Sequence, residues 1–136
     1  MYKKIIVAVD VSALDRGERI LTRAAGLLDE GGRIVLLSVV EDLPGYILAE
    51  VPVSISKDAR ADAREKLSEL SRRLGIAADV EVRQGPPAHE ILSVAQALDA
   101  DLVIIASHKP DLSNYFIGAT ADRVVRHSKC SVLVDR

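Results

Sequence analysis

Lys3-Lys4-Ile5-Ile6-Val7-Ala8-Val9-Asp10-Val11-Ser12 is the stretch on which the fold turns. Aliphatic residues run from Ile5 to Val9 without a polar break, the pattern of a strand buried on both faces. The run then stops at Asp and Ser, residue types that favour turns and helix starts. A strand buried on both faces belongs in a parallel sheet covered by helices.

Four more runs are rich in branched aliphatics: Ile34 to Val40, Asp79 to Val82, Asp101 to Ala106 and Ser131 to Val134. Only Asp79 to Val82 alternates apolar with charged residues, which reads as an edge strand with one wet face. Helical spacing fills the gaps. Ile20, Leu21, Ala24, Leu27 and Leu28 share one face, with Gly31-Gly32 as the stop signal. Ala63, Leu67, Leu70 and Leu74 follow steps of three and four and end at Gly75. Ile91, Leu92, Ala95 and Leu98 follow Pro86-Pro87, a helix entry. Ile117, Ala121, Val124 and Val125 form a last helix beginning beside Gly118. The order β-α-β-α-β-α-β-α-β, in one domain over residues 1–136, predicts an α/β parallel sheet with helices on both faces. Two connections exceed what the crossovers require, 41 to 56 and 107 to 116. Residues 43 to 56 read as a surface excursion, and as a partner surface only by their length.

Composition narrows the function. A net charge of −2, with no basic run, lacks the electrostatic footprint of a nucleic-acid binder. Three Tyr and one Phe leave too few platforms for stacking single strands. Nucleic acid is not expected as a partner. No segment has the ~20 apolar residues needed to cross a bilayer, and no signal-peptide pattern opens the chain, so a cytoplasmic, not membrane-embedded, protein is expected. Cys130 is the sole cysteine, which removes an intrachain disulfide framework.

Ligands of open α/β sheets lie beyond the carboxyl ends of the strands, where strand order reverses. The first run ends in Asp10 and Ser12, and the fourth in Ala106-Ser107-His108-Lys109-Pro110. Asp10 reads equally as a turn residue or as a polar contact to a base or sugar; Ser12 reads as the first helix's cap. Gly118-Ala119-Thr120 opens a helix whose free amides suit an anion, although Gly and Thr are also routine helix-start residues. Ser107, His108 and Lys109 offer amides, a hydroxyl and a positive charge to phosphates, or simply form a polar turn. Ser107 and His108 are consecutive, and consecutive residues rarely point at one another as a nucleophile and its base must; no Gly-x-Ser-x-Gly elbow occurs. His89 and His127 show no metal-ligand spacing, and Cys130 reads as a packing residue. Neither a P-loop nor a Gly-x-Gly-x-x-Gly fingerprint is present.

Taken together, these segments resemble the universal stress protein family over essentially the whole chain. The carriers are the opening strand with its Asp10-Val11-Ser12 turn, Leu36 to Val40, Val82 to Leu92 with Gly85-Pro86-Pro87, and Gly118 to Arg136. The resemblance implies an adenine nucleotide alpha hydrolase-like fold with strand order 3-2-1-4-5. It implies ATP, or ADP or AMP, with Ala8, Val9 and Asp10 beside the adenine and Val39 closing the other side. Ala106, His108 and Lys109 would follow the ribose and phosphates. Gly118, Ala119 and Thr120 would hold the phosphate tail, with Mg²⁺ or Mn²⁺ bound through the phosphates. The family's nucleotide binders carry Gly-x-x-Gly, about nine residues, then Gly-Ser/Thr. Here Ala106 and Lys109 replace the first two glycines, eight residues follow, and Ala119 replaces the Ser. His108-Lys109-Pro110 resembles a subgroup that keeps ATP with a basic residue and Pro at this point. The resemblance further implies a two-fold homodimer through Ser131, Val132, Leu133 and Val134. The expected role is an ATP-binding stress-response regulator of a protein or transporter, with little or no turnover. The alternatives are a nucleotide-free dimeric interaction module and a weak ATPase or autophosphorylating enzyme.

Overall fold

The computed structural model describes residues 1–41, 53–107 and 118–136. Nine elements alternate along it: β1 (Tyr2–Ala8), α1 (Leu14–Leu27), β2 (Leu28–Val40), α2 (Val53–Leu74), β3 (Asp79–Gln84), α3 (Pro87–Ala97), β4 (Leu102–Ala106), α4 (Ala119–His127) and β5 (Ser131–Asp135). The strands form one sheet in the order β3-β2-β1-β4-β5, and every neighbouring pair is parallel. This is the strand order that the family resemblance implies.

Period-two alternation sends each strand's apolar residues to both faces. Ile5, Val7, Ile34, Leu36 and Ile104 meet α1 through Ile20, Leu21 and Ala24, and α2 through Leu67 and Leu70. On the other face Ile6, Leu37, Val103 and Ile105 meet Ala88, Ile91 and Val94 of α3 and Ala121 and Val124 of α4. Most of these side chains are completely buried, and each fully buried aliphatic contributes roughly 1.5–3 kcal/mol of transfer free energy. The first two crossovers therefore cover one face and the last two the other. The winding direction reverses between β1 and β4.

Several boundaries differ from the sequence reading. Leu28 does not continue α1; it starts β2 and pairs with Tyr2. The register then jumps, so that Lys4 pairs with Arg33. Gly31-Gly32 lies inside this irregularity rather than at a helix end. Gly31 has φ +79, and a Cβ on Gly32 would stand 2.9 Å from the carbonyl oxygens of both Lys3 and Asp29. The second helix begins at Val53, directly after Pro52, and so takes in the end of the stretch read as an excursion. The rest of that excursion, and Ile117, lie outside the described residues. Leu98 and Val125, placed on buried faces by spacing, are exposed beyond the ends or flanks of their helices. On β3, Val80 and Val82 do pack against the first core, while Glu81 and Arg83 pair with each other at 2.8 Å.

At the amino edge of the sheet Asp101 fastens β4 to β1. Its carboxylate accepts the amides of Lys3 at 2.8 Å and Lys4 at 3.0 Å. Partial desolvation alone would raise its pKa; the backbone donors outweigh that and hold the carboxyl below its usual range.

Candidate functional site

At the opposite, carboxyl edge the strands end in irregular backbone that must find partners outside the ladder. Val9 donates its amide to Leu37 O at 2.8 Å, extending the β1–β2 pairing by one residue. The chain then turns sharply, with Ala13 N–H bonded to Asp10 O at 2.9 Å. Asp10 Oδ1 stabilises the turn by accepting the amide of Ser12 at 2.9 Å and its hydroxyl at 2.6 Å. Ser12 is therefore not the cap of α1. Ala13 holds that position, without a side-chain bond. Asp10 itself stays exposed, and its Oδ2 has no hydrogen-bond partner among the described residues.

β4 ends at Ala106, paired with Asp135 of β5. Ser107 is buried at its tip, and the scaffold takes both of its main-chain polar groups. Its N–H donates to Asp135 O at 2.8 Å, and its C=O accepts Arg16 Nη1 at 3.0 Å. The Ser107 amide is thus not the phosphate donor that the sequence reading allowed; its hydroxyl remains. Asp135 is in turn fixed through its buried carboxylate by Arg19 and Arg23, the latter at 2.7 Å. His108 and Lys109 lie outside the described residues.

Gly118 precedes α4 with φ 90 and ψ 151, a region that is essentially glycine-only. Its carbonyl accepts the first helical bond, from Asp122 N at 2.9 Å. No side chain among the described residues caps this helix, which leaves its leading amides to water or a ligand.

These termini surround a crevice of about 670 Å³, within the range of small-molecule sites. Its lining brings together Ala8, Val9, Asp10, Val39, Ala106, Ser107, Gly118, Ala119 and Thr120, all nine of the described residues expected at the site. It also includes residues the sequence reading missed: Arg16 and Gly17 of α1, Asp62 and Ala63 of α2, and Pro87 and Ile91 of α3. No motif marks them. Pro87 and Ile91 were legible as helix entry and core, and the helices carry them to the crevice only through tertiary packing.

The other singled-out residues lie elsewhere. His89 is three-quarters exposed, with Nε2 4.0 Å from Glu90 Oε2, and His127 is exposed at the end of α4. Cys130 packs half-buried against the second core. Among the described residues no three His, Cys, Asp or Glu side chains converge as a metal cage. No helix among them is long and apolar enough to cross a membrane.

Comparison with known proteins places this geometry in a setting. The profile of the Universal stress protein family matches residues 1–136. Universal stress protein G of Shigella flexneri is 30% identical over 142 residues, covering 100% of both chains. The solved structure of hypothetical protein MJ0577 superposes with a TM-score of 0.81 at 24% identity, covering 98% of this chain and 95% of that one. A universal stress protein solved in complex with cAMP superposes with a TM-score of 0.60 at 23% identity, covering 98% of this chain and 95% of its own. At these identities the two superpositions speak for the fold.

Proposed function

The chain belongs to the universal stress protein family, and we propose that its crevice binds an adenine nucleotide (ATP, ADP or AMP) in a regulatory role with little or no turnover. One observation carries this reading. The crevice opens at the β1–β4 reversal, and the helix headed by Gly118 starts on it without a side-chain cap among the described residues. A flat base and an anionic tail need that combination of apolar strand ends and free amides. The relative solved with cAMP supports a nucleotide as the ligand class.

In this reading Ala8, Val9 and Asp10 lie beside the adenine, with Val39 opposite. Asp10 Oδ2 is the acceptor left over from the turn. Ala106 and the Ser107 hydroxyl follow the ribose, with His108 and Lys109 continuing along the phosphates. Gly118, Ala119 and Thr120 hold the phosphate tail through amides and the Thr hydroxyl. A Mg²⁺ or Mn²⁺ ion would ride on the phosphates. Residues 1–136 act as one unit. Among the described residues β5 has β4 on one side only, and pairing its other edge with a second copy, through Ser131 to Val134, gives a two-fold homodimer. The dimer would pass the nucleotide state to a regulated protein or transporter. The Ser107 amide, already bonded to Asp135, favours a second reading, a nucleotide-free dimeric interaction module.

The test is to denature freshly purified protein, look for released nucleotide by mass spectrometry, and melt the native protein with ATP, ADP, AMP or cAMP. A ligand at a hundred times its Kd adds about 2.7 kcal/mol, a shift of several degrees. Light scattering on the same sample should give a dimer mass. No carried nucleotide and no shift at millimolar ligand would leave the interaction module standing.

A further inference from the structure

The described lining of the crevice holds one cation, Arg16, and three carboxylates, Asp10, Glu41 and Asp62. Two of the carboxylates are already engaged, Asp10 by Ser12 and Asp62 by Lys66 at 3.0 Å. Arg16 differs from the other arginines of its helix. Arg19 and Arg23 both close on Asp135, whereas Arg16 has no ion-pair partner among the described residues. It is half-buried in the first turn of α1. Its single described bond runs from Nη1 to Ser107 O, 91 residues away in sequence.

A guanidinium carries five N–H donors in a planar fork, and one carbonyl cannot satisfy them. Half-buried and with no counter-ion among the described residues, the fork is matched by a phosphate, which takes two parallel charge-assisted bonds. Its place is also informative. Ser107 stands at the carboxyl tip of β4, where the reversal puts the ligand. Because the Ser107 amide is committed to Asp135, the start of this loop lacks one anion donor, and the Arg16 fork can supply it. Resting on the nucleotide reading above, we propose that Arg16 is a phosphate ligand of the crevice and the residue by which it separates phosphorylated nucleosides from the free nucleoside.

The experiment measures Kd for ATP, AMP and adenosine by calorimetry on the wild type, Arg16→Gln and Arg16→Lys. Gln keeps a neutral amide donor on a shorter side chain and carries no charge; Lys keeps the charge and loses the fork. Hydrogen bonds to charged groups predict that Arg16→Gln weakens ATP and AMP by about tenfold or more, with adenosine unchanged. Arg16→Lys should fall between the two and flatten the preference less. Circular dichroism and the ligand-free melting temperature check that each variant folds, and if the Gln variant does not, the Lys variant carries the comparison. Equal weakening of ATP and adenosine means that Arg16 only tethers Ser107, which overturns the proposal, as does unchanged ATP binding. A wild type that binds none of the three ligands overturns the nucleotide reading itself, and this inference with it.

Discussion

Replacing Gly17 by alanine puts a methyl group where α1 comes closest to the floor of the crevice. The new Cβ would stand 2.7 Å from Val9 Cγ1, against an ordinary contact distance of 3.4 Å or more, and 3.5 Å from Leu70 Cδ2. Val9 cannot step aside easily. Its χ1 is stiff, its amide is fixed to Leu37 O at 2.8 Å, and it is 5% exposed. Overpacking of this kind costs about 1–3 kcal/mol. Alanine within a helix recovers about 0.8–1 kcal/mol over glycine. The expected net loss is therefore about 1 kcal/mol, or a melting shift of about 3–5 °C in a chain of this size. Nucleotide affinity should fall with it, because Val9 lines the site. The decisive assay is a double-mutant cycle with Val9→Ala, read by urea denaturation. Once Val9 is truncated the clash is gone, and Gly17→Ala should stabilise by its helix propensity alone. A favourable coupling of about 1–3 kcal/mol follows, the size expected of residues in contact. If Gly17→Ala stabilises both backgrounds equally, the close approach of α1 to β1 is not as described.

Gly118→Val should abolish nucleotide binding and cost about 1–3 kcal/mol, since φ 90 with ψ 151 excludes a branched side chain; retained ATP binding would move the phosphate site elsewhere. Asp101→Asn tests the amino-edge clamp. The native carboxyl holds its proton less tightly than the unfolded chain's, so the clamp contributes fully above about pH 4 and fades as acidification passes through its lowered pKa. The melting-temperature gap between wild type and variant should be steady near neutrality and close towards pH 3. Solvent screening keeps it below ~1 kcal/mol, and a gap that widens on acidification would contradict the assignment.

The strands were legible because burial on both faces leaves unbroken aliphatic runs, and their ends pointed to Asp10, Ala106 and Gly118. Gly31-Gly32 misled because two glycines end a helix and accommodate a strand irregularity equally well; only the approach of Lys3 O decides between them. The start of α2 was hidden because 41 to 56 reads as one long connection, although the helix already begins at Val53. At the site, the direction of one peptide escaped prediction. That Ser107 turns its amide to Asp135 depends on β5, added to the sheet by a later crossover. Arg16 was illegible for the same reason. It belongs to no motif, and its role comes from reaching Ser107 across the fold.

The reversal between β1 and β4 also divides the molecule by order of synthesis. β1, β2 and β3 with α1 and α2 are made first and supply most of the first core, which Leu102 and Ile104 of β4 complete. The free side of β1 then waits for a strand whose anchor, Asp101, lies 97 residues beyond Lys4. Contacts of such long sequence separation form late and slowly. The crevice lies on this seam, with Val9 and Asp10 from the early half and Ala106, Gly118 and Thr120 from the late one. A ligand gripping both banks would act as a staple across the last joint to close, resisting the opening that begins when the halves part.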